Sequence, residues 1–163
     1  MEKQLNLFAP STKSILNVYI DGAARGNPGP AGAGVFIPQA HEHPIKEAIY
    51  LGIKTNNQAE YMALAFALFL IQKMALTKKT FIQIHSDSQL LVRQMSGIYK
   101  VKNEKLFSIK KQLDSLLKEF SHKFIHIPRE LNKDADTLAN IGIDKKKKIP
   151  TAFSHFLANC NSD

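Results

Sequence analysis

Cysteine is almost absent: Cys160 is the only one in 163 residues. No intrachain disulfide can form, and a zinc site built on thiolates is excluded. A reducing, cytoplasmic setting is the expectation. Long apolar runs are missing as well. No stretch approaches the ~20 residues that a membrane-spanning helix needs. The first ten residues lack the apolar core of ~7–15 residues typical of a secretory signal. Neither a membrane partner nor export by that route is expected. Acidic residues are scarce beside basic ones, 14 against 22, leaving a formal net charge of +8. That excess suits a polyanion, either a nucleic acid or an anionic membrane surface, and charge alone does not choose between them.

What is present fits one compact domain, long enough to bury a core without disulfides or structural metal. Residues 15–20 are rich in β-branched and aromatic types and predict a strand. A loop rich in glycine and proline follows. Residues 33–38 and 45–53 predict two more strands around a turn at 41–44, which makes an antiparallel meander. A helix opens at Asn56 or Asn57, where Asn57 and Glu60 have capping-pair spacing. Ala59, Met62, Ala63, Phe66, Leu70 and Met74 recur behind it at helical intervals. Residues 80–86 predict a fourth strand, 88–95 and 103–120 two helices, 123–127 a fifth strand stopped by Pro128, and 131–142 a last helix. Three meander strands followed by alternating helices and strands imply an α/β fold. Its five-stranded mixed sheet would have three antiparallel and two parallel strands, flanked by helices.

Four carboxylates stand where chemistry could use them. Asp21 follows the first predicted strand and Asp87 the fourth, Glu60 lies in the first turn of a helix, and Asp136 lies one turn into the last one. Strand ends in α/β sheets are rigid mounts around which sites gather. Taken singly, each acid has an ordinary reading as a cap or turn residue. Four such acids brought together could not all ionise without a cation, and a hard divalent ion such as Mg²⁺ is the natural one.

The surrounding segments carry more information than the acids alone. Asp21-Gly-Ala-Ala-Arg-Gly-Asn-Pro-Gly, Thr55-Asn-Asn-Gln-Ala-Glu60, His85-Ser-Asp-Ser-Gln89 and Asn132-Lys-Asp-Ala-Asp136 resemble, in order, the four signature blocks of type-one ribonuclease H. The resemblance spans residues 15–143 and implies the ribonuclease-H-like fold. It also implies an endonuclease that hydrolyses the RNA strand of RNA/DNA hybrids and leaves 5′-phosphate and 3′-hydroxyl ends. Two Mg²⁺ ions, or Mn²⁺ in their place, would be held by Asp21, Glu60, Asp87 and Asp136. The family spacing selects Asp136 over Asp134. By the same resemblance Asn27, Asn56, Asn57 and Gln89 would touch the hybrid, and Thr55 would help hold a DNA-strand phosphate. Amides suit recognition of the ribose 2′-hydroxyl. The alternatives are a hybrid-binding module without catalysis and another nuclease of the same fold.

Two departures from the family pattern stand out. Many members carry a loop histidine before the last helix, whereas here His126 falls in a strand and Arg129 occupies a short loop. Arg129 is the candidate contact to the scissile region. The long basic protrusion of many members is missing, although residues 100–123 hold seven lysines against three acids. At the N-terminus, Gln4-Leu5-Asn6-Leu7-Phe8 resembles the peptide with which bacterial replication and repair proteins hold the DNA sliding clamp. It lies in an arm, residues 1–14, and the clamp is a candidate partner through Gln4, Leu5, Leu7 and Phe8. Residues 144–163 read as a basic tail, without a usable motif beyond 149, and a monomer is expected.

Overall fold

The computed structural model describes residues 14–40 and 42–160. The candidate clamp peptide, Gln4 to Phe8, lies outside them. Three strands open the fold: β1 (Ile15–Ala24), β2 (Gly29–Ile37) and β3 (Ile45–Lys54). They pair antiparallel as expected. After α1 (Asn56–Gln72), β4 (Phe81–Ser86) returns parallel to β1. Next come α2 (Gln89–Met95) and α3 (Glu104–Leu117), then β5 (Ser121–His126), parallel to β4. A 3₁₀ turn (Arg129–Leu131), α4 (Lys133–Asp144) and α5 (Thr151–Cys160) complete the chain. The sheet runs β3-β2-β1-β4-β5, the mixed five-stranded arrangement that the sequence implies.

Helices cover both faces of the sheet, and two glycines set how closely they approach. A Cβ on Gly22 would lie 2.2 Å from main-chain atoms of Ala59 and Glu60, so α1 can touch β1 there only because Gly22 has none. Asp21 and Gly34 face each other across β1 and β2 and therefore share the opposite face. A Cβ on Gly34 would meet the Ala135 carbonyl oxygen at 2.3 Å, so α4 crosses the sheet next to Asp21. The first acid thus sits between two helices that glycines admit to contact. α2, α3 and α5 stack against α1.

Several sequence expectations need correcting. β1 does not stop at residue 20 but runs on to Ala24, so Asp21 lies inside a strand rather than just beyond one. Gly22, Ala23 and Ala24 are poor strand formers, yet they pair with Ala33, Gly32 and Ala31, and the crossing helices demand small side chains there. The cap of α1 is Thr55, not Asn57: its hydroxyl accepts from the Gln58 N–H at 3.2 Å, and the Gln58 side chain accepts from the Thr55 N–H at 2.9 Å. Glu60 therefore has no capping duty. α1 is also buried on more than the expected stripe, with Tyr61, Leu64, Leu68 and Ile71 fully enclosed, because it lies between the sheet and a further layer of helices. The basic stretch after residue 144 does not continue as a featureless tail. α5 sends the fully buried Phe153 against Phe66 and Phe69 of α1, at ring separations of 5.1 and 5.3 Å. Among the described residues, no helix is long and apolar enough to cross a membrane.

Candidate active site

Three of the four acids converge. Asp21, buried in β1, Glu60, in the second turn of α1 rather than the expected first, and Asp87, just past β4, each place a carboxylate oxygen within 4.8 Å of the other two. Each mount has a local cause. β1 and β4 are parallel neighbours, so their carboxyl ends bring Asp21 and Asp87 to one edge. Beyond Asp87 the chain turns directly into α2: the Ser88 N–H donates to Ser86 Oγ at 3.0 Å, and Ser88 Oγ accepts from the Leu91 N–H. Glu60 is held by the close approach of α1, and the Gly22 N–H donates to its Oε2 at 3.2 Å.

The electrostatics follow from this crowding. Burial, reinforced by Asp87 and Asp136, pushes the Asp21 carboxyl up from its usual 3.8 to about 7, while Arg129 pulls the other way. Glu60 is raised too, by burial first and then by Asp21 and Asp87, against the Gly22 hydrogen bond. Such a group of oxygens holds more potential negative charge than its surroundings offset, and a divalent cation is the charge it lacks.

Asp136 is placed differently. It is absent from the three-carboxylate group, and its Oδ1 accepts from Arg129 Nη2 at 3.0 Å. It stays close enough to raise Asp21 electrostatically. Asp134, one helix face away, is exposed. His126 is the exposed last residue of β5, a strand residue as expected.

The candidate hybrid contacts surround the N-termini of α1 and α2. Asn27 and Asn56 fix each other's surroundings: Asn27 Oδ1 accepts from the Asn56 N–H, and Asn56 Oδ1 accepts from the Ala24 N–H, both at 3.1 Å. This seam joins the β1–β2 turn to the start of α1. Asn57 and Gln89 are exposed on the first turns of their helices, and Thr55 is the α1 cap. Lys100, Lys102 and Lys105 are exposed beyond α2.

Sequence reasoning treated Asn132 only as part of a signature block. It is a buried residue whose Nδ2 donates both to the Ile20 carbonyl at 2.9 Å and to Asp87 Oδ1 at 3.1 Å. The available signal was an amide just ahead of the last acidic helix. Its reach to Asp87 depends on tertiary placement.

The fold and the cluster of acids define a ribonuclease-H-type α/β domain. The reverse transcriptase-like family model matches residues 19–142, and the chain belongs to this ribonuclease H family. The ribonuclease HI of Halobacterium salinarum is 35% identical over 137 residues, covering 83% of this chain and 67% of that protein. A bifunctional protein of Mycobacterium tuberculosis is 39% identical over 132 residues, 78% of this chain, and the chain spans only 35% of its length. Among solved structures, LC11-RNase H1 in complex with an RNA/DNA hybrid is 41% identical with a TM-score of 0.74, covering 80% of this chain and 97% of that one.

Proposed function

We propose that this chain is an endonuclease that hydrolyses the RNA strand of RNA/DNA hybrids with two divalent ions, leaving 5′-phosphate and 3′-hydroxyl ends. The observation that carries this reading is the convergence of Asp21, Glu60 and Asp87 within 4.8 Å at the carboxyl edge of a parallel strand pair. Hard oxygen donors crowded enough to raise one another's proton affinity fit Mg²⁺, with Mn²⁺ as the close substitute. Divalent ions held there would activate the attacking water and stabilise the leaving 3′ oxygen. Asp21 and Asp87 serve as the central ligands, and Glu60 and Asp136 complete the set.

The remaining residues position the duplex. Asn57 and Gln89 offer exposed amides beside the acids, suited to ribose hydroxyls and base edges in the minor groove. Asn27 and Asn56 combine such contacts with their structural hydrogen bonds, and Thr55 supplies a phosphate contact from the helix cap. Arg129, 75% exposed and paired with Asp136, is placed to contact the scissile region. The lysines after α2 add phosphate contacts, which makes hybrid binding salt-sensitive. The chain works as a monomer in the cytoplasm. Residues 4–8, by their likeness to the clamp-binding peptide, tether it to the DNA sliding clamp. A pull-down that retains the clamp equally well after Leu7→Ala and Phe8→Ala counts against this tether.

The deciding experiment is cleavage of a labelled RNA/DNA hybrid beside matched RNA/RNA and DNA/DNA duplexes, with and without Mg²⁺. Cutting confined to the hybrid and to metal-containing samples is expected. Asp87→Asn should abolish it while binding in Ca²⁺ persists. Normal turnover by that variant removes the assignment, and binding without any cutting by the wild type would leave a hybrid-binding module.

A further inference from the structure

Arg129 and Asp136 form an ion pair, Nη2 to Oδ1 at 3.0 Å, at the edge of the acidic cluster. The pair is built by the fold. Pro128 closes β5, the 3₁₀ turn carries Arg129 back over the sheet edge, and Asn132 leads into α4, whose first turns present Asp136. The partners are therefore held from two separate elements across a short connection. Asp136 is less exposed than Arg129, 29% against 75%, so the carboxylate is the fixed member and the guanidinium the movable one. Arg129 also feels Asp21 and Asp87, and among the described residues it is the one cation shifting Asp21.

We infer that Arg129 is a positioning residue that acts as the resident counter-ion of Asp136 and competes with a divalent ion for that carboxylate. This rests on the reading of the acids as a metal site and goes beyond it. It divides the four carboxylates into a ready group, Asp21, Glu60 and Asp87, and a fourth that must first give up its arginine. Among the described residues, no cation is hydrogen-bonded to the ready group, which feels Arg129 only at longer range. An ion that also needs Asp136 meets a guanidinium already hydrogen-bonded to it. Exposed pairs of this kind are weak and screened by salt, so the competition is worth about two- to fivefold in affinity and fades at high ionic strength.

The test is calorimetric titration of Mn²⁺ into the full chain at low salt, without nucleic acid. Arg129→Gln should tighten binding of the weaker ion about two- to fivefold. The gain should vanish in 1 M salt, be absent when Arg129→Gln is placed on Asp136→Asn, and be reversed by Arg129→Lys. Unchanged or weaker Mn²⁺ binding by Arg129→Gln overturns the inference. If Asp87→Asn still abolishes the stronger site in that case, the metal-site reading stands and only the role of Arg129 falls. If the wild type binds no Mn²⁺, both fall together.

Discussion

Asn132 ties Asp87 to the main chain of β1, donating one amide hydrogen to the carboxylate at 3.1 Å and the other to the Ile20 carbonyl at 2.9 Å. The amide is 1% exposed and stands one residue ahead of α4. A single side chain thus sets both the direction of the Asp87 carboxylate and the seat of the last sheet-crossing helix. Removing an orienting partner behind a ligand typically costs 10–100-fold in metal affinity or activity. We expect Asn132→Ala to lower hybrid cleavage by about that factor and stability by ~1–3 kcal/mol, since the Ile20 carbonyl loses its partner. Asn132→Asp should do worse in activity, because it sets a second negative charge against Asp87. Turnover numbers and urea midpoints for the two variants check this.

Gly22 offers a sharper structural test. Its missing Cβ is the space into which Ala59 and Glu60 fit. Gly22→Ala must push α1 away from β1 at the point where Glu60 meets Asp21. A loss of at least ~1–3 kcal/mol is expected from overpacking, together with a weaker site. Denaturation and Mn²⁺ titration of the same sample read the two effects. Wild-type stability in this variant would show that the approach of α1 is looser than described.

The raised carboxyl of Asp21 makes stability depend on pH in a definite direction. Well below pH ~4 the group is protonated in the folded and unfolded chain alike, and it costs nothing. As pH rises from there to about 7, the unfolded chain releases this proton while the folded chain retains it, so the folded state loses ground. Glu60 acts in the same direction. The Asp21 share is about 4 kcal/mol at most, at ~1.4 kcal/mol per pKa unit. In chelator, this group should therefore make the wild-type melting temperature higher at pH 5 than at pH 8, and Asp21→Asn should gain most over wild type at pH 8. Added Mg²⁺ should raise the wild-type melting temperature more at pH 8 than at pH 5, because ligation needs the deprotonated acids.

Phe153 links the C-terminal helix to the core. It is fully buried against Phe66 and Phe69, and Phe156 stacks beside it. Phe153→Ala should cost ~3–5 kcal/mol and leave the acids in place. Urea unfolding should show the loss, while Mn²⁺ affinity measured in the native baseline stays unchanged.

The residues that sequence reasoning placed well are those whose local chemistry matches their tertiary role. β4 and β5 read as strands because β-branched and aromatic types fill them, and Asp87 falls where the strand stops. The signature blocks, rather than periodicity, single out Asp21, Glu60 and Asp87, which the fold brings together. The misses have physical causes. Asn57 and Glu60 have capping spacing, but Thr55 and Gln58 form the box, and two overlapping candidates cannot be separated from composition. β1 and β2 extend through glycine and alanine, because helix contact outweighs strand propensity there. α5 follows a lysine run and packs through aromatic contacts with α1, far away in sequence. The pairing of Arg129 with Asp136, and of Asn132 with Asp87, depends on how a short connection folds over the sheet edge, which no local pattern encodes.

The strand order carries a consequence for synthesis. β1 sits between β2, which follows it directly, and β4, which arrives only after α1. A nascent chain can close its meander and dock α1, bringing Asp21 and Glu60 together, before Asp87 exists. Asn132 and Asp136 come later still, from the start of α4. Two of the four acids are therefore in the chain and able to meet before the other two have been made. Under the proposed function, the catalytic set is complete only once the chain has been made through Asp136 in α4.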